Sequence, residues 1–232
     1  MGPLMSTTTT PRRTGPTTTI PGETRICIPG VNWRFYEWLV DSIPEGTGVR
    51  VAFDGTDVEI MTTSPEHEDF KELLGRFVGL VAEELGIPHK SMGETTWKRV
   101  RVNRGIEADQ CFYFRPDKLA AAAAAKAKRT NDVAHYPDPD LAIEVDLSPS
   151  ALDRPGIYAA LKVAEVWRFN GQNPRIDRLC SRGRYAAVAA SKLLPVRADQ
   201  VCRWILEEDT SDLTSWSRSV RRWVRADLSR VD

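Results

Sequence analysis

Two acidic residues in short apolar segments are the first candidates for chemistry. Asp109 lies in residues 105–114, and Glu144 lies in residues 139–148. Both segments have a strand-like composition, in which an ionised carboxylate is costly unless a cation or hydrogen bonds meet it. Two carboxylates on neighbouring strands can hold a hard divalent cation such as Mg²⁺ through oxygen ligands, which leaves the other positions to water and a phosphate. The chemistry that this pair indicates is phosphodiester hydrolysis.

The elements around these two acids predict a mixed α/β order. Strand patterns occur at residues 110–114, 141–145 and 165–169, and a helix is expected over 157–161. Strand, helix and strand in this order form a unit with a right-handed crossover. The Ala-rich run at 119–128 has high helix propensity but no large apolar face, so we expect an exposed helical insertion there.

A long helix is predicted before the first acid. Ser64 is placed as its N-cap, Pro65 as its first helical residue, and Gly86 as its end. At about 100° per residue, Glu66 and His67 flank the apolar stripe, whereas Glu68 points away. We therefore expect Glu66 and His67 to reach a site on the sheet and Glu68 to be a solvated charge.

The remaining patterns supply short elements on either side. They predict an aromatic helix over 33–40, a strand at 95–98, and a C-terminal amphipathic helix that carries several arginines over 213–225. Two hairpins are expected, one with strands 49–53 and 58–61 around Asp54-Gly55, the other with strands 175–179 and 185–188. The second hairpin is expected to extend the sheet.

Composition divides the chain into a tail and one domain. The N-terminal region is dominated by Thr, Pro, Gly and Arg, which cannot bury enough apolar surface to offset the entropy of ordering. We expect a disordered Thr/Pro-rich tail over residues 1–24 and a single domain over residues 25–232 that ends in the basic helix. A chain of 232 residues is long enough to bury a full core.

Charge and cysteine content exclude several classes. Lys plus Arg equals Asp plus Glu at 32 each, so any contact with nucleic acid must be local. Four single cysteines favour reduced thiols over a zinc site or a disulfide framework. No apolar run approaches the roughly 20 residues of a membrane span. A cytoplasmic protein without membrane contact is the simplest interpretation.

An ordered set of motifs resembles the Uma-two family of the PD-(D/E)xK nuclease superfamily. The set comprises residues 64–68 (SPEHE), 93–98 (GETTWK), 105–111 (GIEADQC), 139–146 (PDLAIEVD), 153–154 (DR), 158–160 (YAA) and 165–168 (EVWR). Each motif alone is weak, and the specificity lies in their order. The resemblance implies an α/β fold with a restriction-endonuclease-like core, in which a mixed β-sheet is flanked by helices.

The resemblance also implies roles for individual residues. Asp109 and Glu144 would be the first and second acids, and both would bind Mg²⁺ or Mn²⁺. Glu66 and His67 match the helix motif that lies near the site in this family. Glu107 matches an acidic position before the first acid.

Two departures from the family pattern matter. Ala108 replaces a proline that shapes the backbone and carries no chemistry. Asp146 replaces the lysine expected two residues after the second acid, so an acid stands where an ammonium would orient water or offset phosphate charge. The basic residue on the following helix, four before Tyr158, is Arg154. Its guanidinium can stabilise charge but is not a general base at neutral pH.

The sequence thus leaves two main functions open, beside a third in which the metal site acts on a different phosphate ester. The first is a metal-dependent endonuclease that hydrolyses DNA, with Asp109, Glu144, Arg154, His67 and Glu66 in the site. The alternative is a catalytically impaired nuclease-fold protein that acts as a nucleic-acid or protein-binding module, which the missing lysine and the balanced charge favour.

Several further points also stay open. Lys98 or Lys162 can stand in for the missing lysine, although both are expected to be solvated. The C-terminal basic helix is more typical of a surface or partner-binding face than of a DNA clamp. Cutting both strands of a duplex requires two sites, so a homodimer is an option.

Overall fold

Strands and helices follow one another in a mixed α/β order. The computed structural model describes residues 23–44, 46–130 and 132–228. Within these residues the strands are Thr24–Ile28 (β1), Val49–Phe53 (β2), Val58–Thr62 (β3), Lys90–Gly93 (β4), Thr96–Arg99 (β5), Arg104–Glu107 (β6), Gln110–Tyr113 (β7), Leu141–Val145 (β8), Glu165–Phe169 (β9), Pro174–Leu179 (β10) and Tyr185–Val188 (β11). The helices are Trp33–Ser42 (α1), Pro65–Glu84 (α2), Pro116–Ala127 (α3), Arg154–Ala160 (α4), Ala198–Cys202 (α5) and Leu213–Trp223 (α6).

The strands form two sheets. The first has the order β1-β3-β2-β6-β5 and is antiparallel throughout. The second has the order β11-β10-β9-β8-β7-β4, in which β8 and β9 are parallel and the other pairs are antiparallel. The predicted hairpin of β10 and β11 extends this mixed sheet, as expected. The hairpin of β2 and β3 belongs to the other sheet, because β1 and β6 flank it.

The chain passes from one sheet to the other between β6 and β7. Only Ala108 and Asp109 separate these two strands. β7 pairs antiparallel with β8, with Gln110 opposite Ile143. One further step of this register brings Asp109 opposite Glu144. The two predicted acids therefore meet where the sheets join.

Helix α2 forms as the sequence predicts. The Ser64 hydroxyl accepts a hydrogen bond from the backbone N–H of His67 at 3.1 Å, and Pro65 is the first helical residue. Gly86, with φ of 64°, follows the last turn. The apolar side of α2 packs in the larger core between the mixed sheet and α6, where Phe77 stacks on Trp223. This packing fixes the first turn of α2 beside the junction of the sheets.

A second core covers the other face of the mixed sheet. It includes Ile157 and Tyr158 of α4 together with Ala122 of α3. Helix α3 was expected to be an exposed insertion, and most of its residues are exposed. Ala122 and Ala125 are buried, however, because a methyl group is small enough to let the helix approach the core closely.

Short polar strands account for most of the difference from the sequence prediction. The patterns did not indicate β1, β4 or β6, which are four or five residues long and rich in charged or small residues. Glu23 is buried and Thr24 begins β1, so two residues of the predicted tail belong to the described fold. The rest of that tail, residues 1–22, lies outside the described residues. None of the described helices is long and apolar enough to span a membrane.

Candidate active site

Asp109 is held at the junction of the sheets by two hydrogen bonds and one ion pair. Its side chain is only 2% exposed. His67 Nε2 donates to Oδ1 at 2.9 Å, the backbone N–H of Val145 donates to Oδ2 at 2.7 Å, and Arg50 Nε lies 3.4 Å from Oδ1. Burial alone would raise the pKa of this carboxyl group, but these neighbours lower its pKa below the usual value. Asp109 is therefore an ionised carboxylate inside the protein.

Glu144 lies within β8 and is almost fully buried, at 1% exposure. Arg154 Nη2 donates to its Oε2, and the Tyr158 hydroxyl donates to its Oε1. Burial raises its pKa to about 7; Arg154 opposes this shift, while the negative charges of Asp109 and Asp146 add to it. The attraction of Arg154 therefore does not fully offset the cost of burying the charged form of Glu144.

Arg154 reaches the pair from the first residue of α4. Asp153 caps this helix by accepting from the backbone N–H of Gly156 at 3.0 Å. The guanidinium group contacts Glu144, and it also lies 3.7 Å from Glu59 and 3.8 Å from Asp146. The sequence predicted a basic residue on this helix near the second acid. In the structure Arg154 and Glu144 are in direct contact.

Asp146 occupies the position of the expected lysine and gathers arginines around it. Its Oδ2 accepts from Arg168 at 2.9 Å and 3.1 Å. Its Oδ1 faces Arg25 at 3.7 Å and Arg154 at 3.8 Å. Positive charge at this point of the site therefore comes from three different strands and helices, not from residue 146.

The first turn of α2 differs in part from the prediction. His67 is fully buried and contacts Asp109. Glu66 is exposed, and among the described residues its side chain has no hydrogen bond or ion pair. Glu68, expected to be solvated, contacts Lys71 and lies 3.7 Å from Arg50. The reason is that His67 and Lys71 lie on the buried face, so Glu68 borders the site and Glu66 does not.

Of a group around Arg50, only Glu107 was singled out from the sequence, and neither Arg50 nor its contacts were predicted. Arg50, in β2, donates to Glu107 and, at 2.5 Å, to Glu94. Burial raises the pKa of Glu107, although Arg50 and Thr96 oppose the shift. These residues line a cleft of about 730 Å³ between the C-terminal end of α1, β2 and β5. The signal for this group in the sequence was Arg50, a charged residue within the otherwise apolar strand 49–53.

The two lysines considered as substitutes lie elsewhere. Lys98 Nζ pairs with Asp41 at 2.8 Å in the five-stranded sheet. Lys162 is exposed at the end of α4, with φ of 57°. Neither forms a hydrogen bond or an ion pair with Asp109 or Glu144.

The carboxylate oxygens of Asp109 and Glu144 are ligands of the kind that a hard divalent cation requires. Two buried carboxylates lie on adjacent backbone segments, and burial, which raises the pKa of Glu144, disfavours its charged form unless a cation lies beside it. Each carboxylate oxygen also contacts a protein donor, and no three His, Cys, Asp or Glu side chains in the described parts of the chain form a metal-binding group. The two carboxylates supply oxygen ligands of the kind that a hard cation binds. In this structure the guanidinium group of Arg154 is the cationic group in contact with Glu144.

Fold and site together define a mixed α/β protein with paired acids at the junction of two sheets, and comparison with known proteins gives its family. The family model described as "Uma2: Putative restriction endonuclease" matches residues 34–202, so the chain belongs to this family. The match includes all five predicted site residues and ends before α6. A comparison with curated proteins gave no match.

One solved structure with a similar chain is a putative nuclease belonging to DUF820 from Anabaena variabilis ATCC 29413, determined at 1.96 Å resolution. The TM-score is 0.49 and the sequence identity is 13%. The alignment covers 72% of this chain and 97% of that one.

Proposed function

We propose that this protein is a metal-dependent endonuclease that hydrolyses phosphodiester bonds in DNA. The observation that carries the proposal is the 2.7 Å hydrogen bond from the Val145 N–H to Asp109, which holds a buried acid next to the backbone of Glu144. Membership of the family described as "Putative restriction endonuclease" supports nucleic acid as the substrate. Asp109 and Glu144 would hold Mg²⁺ or Mn²⁺, which would activate water and polarise the phosphate.

The other residues act on position and charge. His67 donates to Asp109 and keeps it ionised and oriented. Arg154 stabilises the negative charge that develops on the phosphate, as a preorganised cation in a buried site. It does not remove a proton, because its pKa is too high. Glu66 is exposed and has no part in this arrangement.

The cleft beside Arg50 is the proposed path for the substrate. Its volume of about 730 Å³ is large enough for a short segment of a nucleic-acid strand. Arg50 lines this cleft and also lies 3.4 Å from Asp109. Lys98 and Thr96 line the same cleft and can contact phosphate oxygens. Cleavage of both strands of a duplex would need two such sites, for which a homodimer is the simplest arrangement.

A binding module without turnover is the second candidate. It is favoured by Asp146 in the place of the lysine and by the protein donors on every oxygen of Asp109 and Glu144. In that case the protein would bind nucleic acid or another protein and would cleave nothing.

A cleavage assay decides between the two. Supercoiled plasmid and single-stranded DNA and RNA are incubated with the wild type in Mg²⁺ or Mn²⁺, and with EDTA as a control. We expect cleavage that EDTA abolishes and that Asp109→Asn and Glu144→Gln each reduce by at least about 100-fold. Glu37→Gln, which changes an exposed acid on α1, is the matched control and should cleave like the wild type. No cleavage of any substrate would favour the binding module.

A further inference from the structure

Buried polar atoms without partners surround Asp146. Among the described residues, Asp146 Oδ1, Arg154 Nε and Arg25 Nη2 form no hydrogen bond. The side chains of Arg154 and Asp146 are only 5% and 11% exposed. Buried donors and acceptors are normally paired, because water cannot replace the missing partner. A donor and an acceptor that face each other unpaired indicate a second arrangement in which they bond.

Arg154 is the positively charged group that contacts Glu144 where a metal cation would bind. Its Nη2 contacts Oε2, while the Tyr158 hydroxyl takes Oε1. A divalent cation at Glu144 needs these oxygen lone pairs and would meet the like charge of the guanidinium at contact distance. The two cations therefore compete for one carboxylate, and metal uptake requires the arginine to move.

The acceptor to which Arg154 would move is already in place. Arg154 Nε lies 3.8 Å from Asp146 Oδ1, so a shift of about 1 Å gives a hydrogen bond. Glu59, at 3.7 Å, adds a second carboxylate on that side. Arg168 binds only Oδ2 of Asp146 and so leaves Oδ1 facing Arg154 and, at 3.7 Å, Arg25. The cap of α4 at Asp153 can stay in place during such a shift, because only the side chain moves.

We propose that Arg154 has two carboxylate partners, Glu144 when no cation is bound and Asp146 when Glu144 binds a divalent cation. The inference rests on the proposed function and deepens it. Asp146 is then a positioning residue for metal uptake. This role explains an acid at residue 146, because a lysine there would lie among Arg25, Arg154 and Arg168 and would repel the arriving guanidinium.

Calorimetric titration with Mn²⁺ of four proteins tests the proposal: wild type, Asp146→Asn, Arg154→Gln and the double variant. We expect Asp146→Asn to weaken Mn²⁺ binding roughly tenfold, because Arg154 then stays on Glu144. Arg154→Gln should tighten Mn²⁺ binding, because the competing charge is gone. In the Arg154→Gln background, Asp146→Asn should change the affinity by less than about twofold.

Two controls keep the result interpretable. Asp138→Asn removes another largely buried acid that pairs with an arginine, Arg99, and should leave Mn²⁺ affinity unchanged. Thermal unfolding of every variant checks the fold, and Arg154→Met replaces Arg154→Gln if the latter does not fold.

The outcomes separate this inference from the proposed function. Equal weakening by Asp146→Asn in both backgrounds would overturn the inference, since Asp146 would then act on the cation directly. Unchanged affinity in Asp146→Asn would overturn it as well. Absence of Mn²⁺ binding in all four proteins would overturn the inference together with the metal dependence of the proposed function.

Discussion

The carboxylate of Asp109 accepts a hydrogen bond from the backbone N–H of Val145 at 2.7 Å. This bond ties the short connection between β6 and β7 to β8, and it places Asp109 beside the residue that follows Glu144. Because the same carboxylate also accepts from His67, one side chain links α2 and both sheets. Changes at Asp109 should therefore affect both chemistry and stability, and the two effects can be separated.

Asp109→Asn and Asp109→Ala should differ in stability and agree in metal binding. Asparagine keeps an acceptor for the Val145 N–H, so its unfolding free energy should stay near that of the wild type, whereas alanine leaves buried donors unpaired and should cost about 1–3 kcal/mol. Both should weaken Mn²⁺ binding at least tenfold. Urea unfolding and calorimetric titration measure the two effects. Wild-type Mn²⁺ affinity in Asp109→Asn and in Glu144→Gln would locate the cation elsewhere.

His67→Ala should destabilise the protein by about 2–4 kcal/mol, because it opens a cavity under α2 and removes a donor from a buried carboxylate. The pKa of Asp109 should rise, since His67 lowers it. Urea unfolding gives the first quantity. His135→Ala, at an exposed histidine, is the control and should be neutral. Equal stability of the two variants would mean that the contact between His67 and Asp109 contributes nothing.

Glu66→Gln and Glu68→Gln test which acid of α2 borders the site. Glu66 is exposed and Glu68 contacts Lys71, so the first change should leave cleavage and Mn²⁺ affinity within about twofold of the wild type. The second change removes one of the two carboxylate partners of Lys71, the other being Glu94, and should alter the salt dependence of cleavage more. Plasmid cleavage at two ionic strengths measures both. A large loss of rate in Glu66→Gln would restore Glu66 to the mechanism.

The end of α2 gives a prediction for pH. Hydrogen bonds from Arg225 and Arg221 lower the pKa of Glu84 to about 2, against burial. A carboxyl group with a lowered pKa in the folded state stabilises the protein fully above its unfolded pKa of roughly 4.5, and this contribution is lost as pH falls toward 2. Glu84→Gln should therefore lower the melting temperature at pH 7 but hardly at pH 2. Glu72→Gln, at an exposed acid of the same helix, should show a smaller difference across this range.

Two truncations locate the start of the folded domain. Removing residues 1–22 should leave the melting temperature nearly unchanged, because their composition offers little to bury. Removing residues 1–25 also takes away Arg25, which donates to Glu59 at 2.8 Å and to Ser148 at 2.7 Å, and should lower the melting temperature by several degrees. Equal melting temperatures for the two truncations would mean that the Arg25 contacts do not stabilise the fold.

Local chemistry explains what the sequence allowed us to predict. Ser64, Pro65 and Gly86 delimit α2 because capping depends on neighbouring residues alone. Asp109 and Glu144 were predicted as a pair because a charge in an apolar strand is rare and because the motifs occur in family order. That they lie together follows from the antiparallel register of β7 and β8.

Partners that are distant in sequence explain what could not be predicted. Arg25 and Ser148 are separated by 123 positions, and nothing near either residue specifies the other. Glu59 and Arg50 lie in strands whose neighbours in the sheet decide which charges meet. The rotation of α2 about its axis depends on packing against the mixed sheet and α6. For this reason Glu68, and not Glu66 as expected, lies beside the site.

The position of Asp109 between the two sheets bears on how the site is assembled during folding. Asp109 lies two residues after the last strand of the five-stranded sheet, Glu144 belongs to the mixed sheet, and Arg154 is contributed by a helix further along the chain. Contacts between such distant segments form late, because closing long loops costs entropy before the contacts stabilise the chain. An intermediate with only the five-stranded sheet complete would lack Glu144, and one with only the mixed sheet complete would lack Arg50 beside Asp109. Catalytic competence should therefore appear only with the final step of folding, which would prevent a half-formed nuclease from acting on nucleic acid.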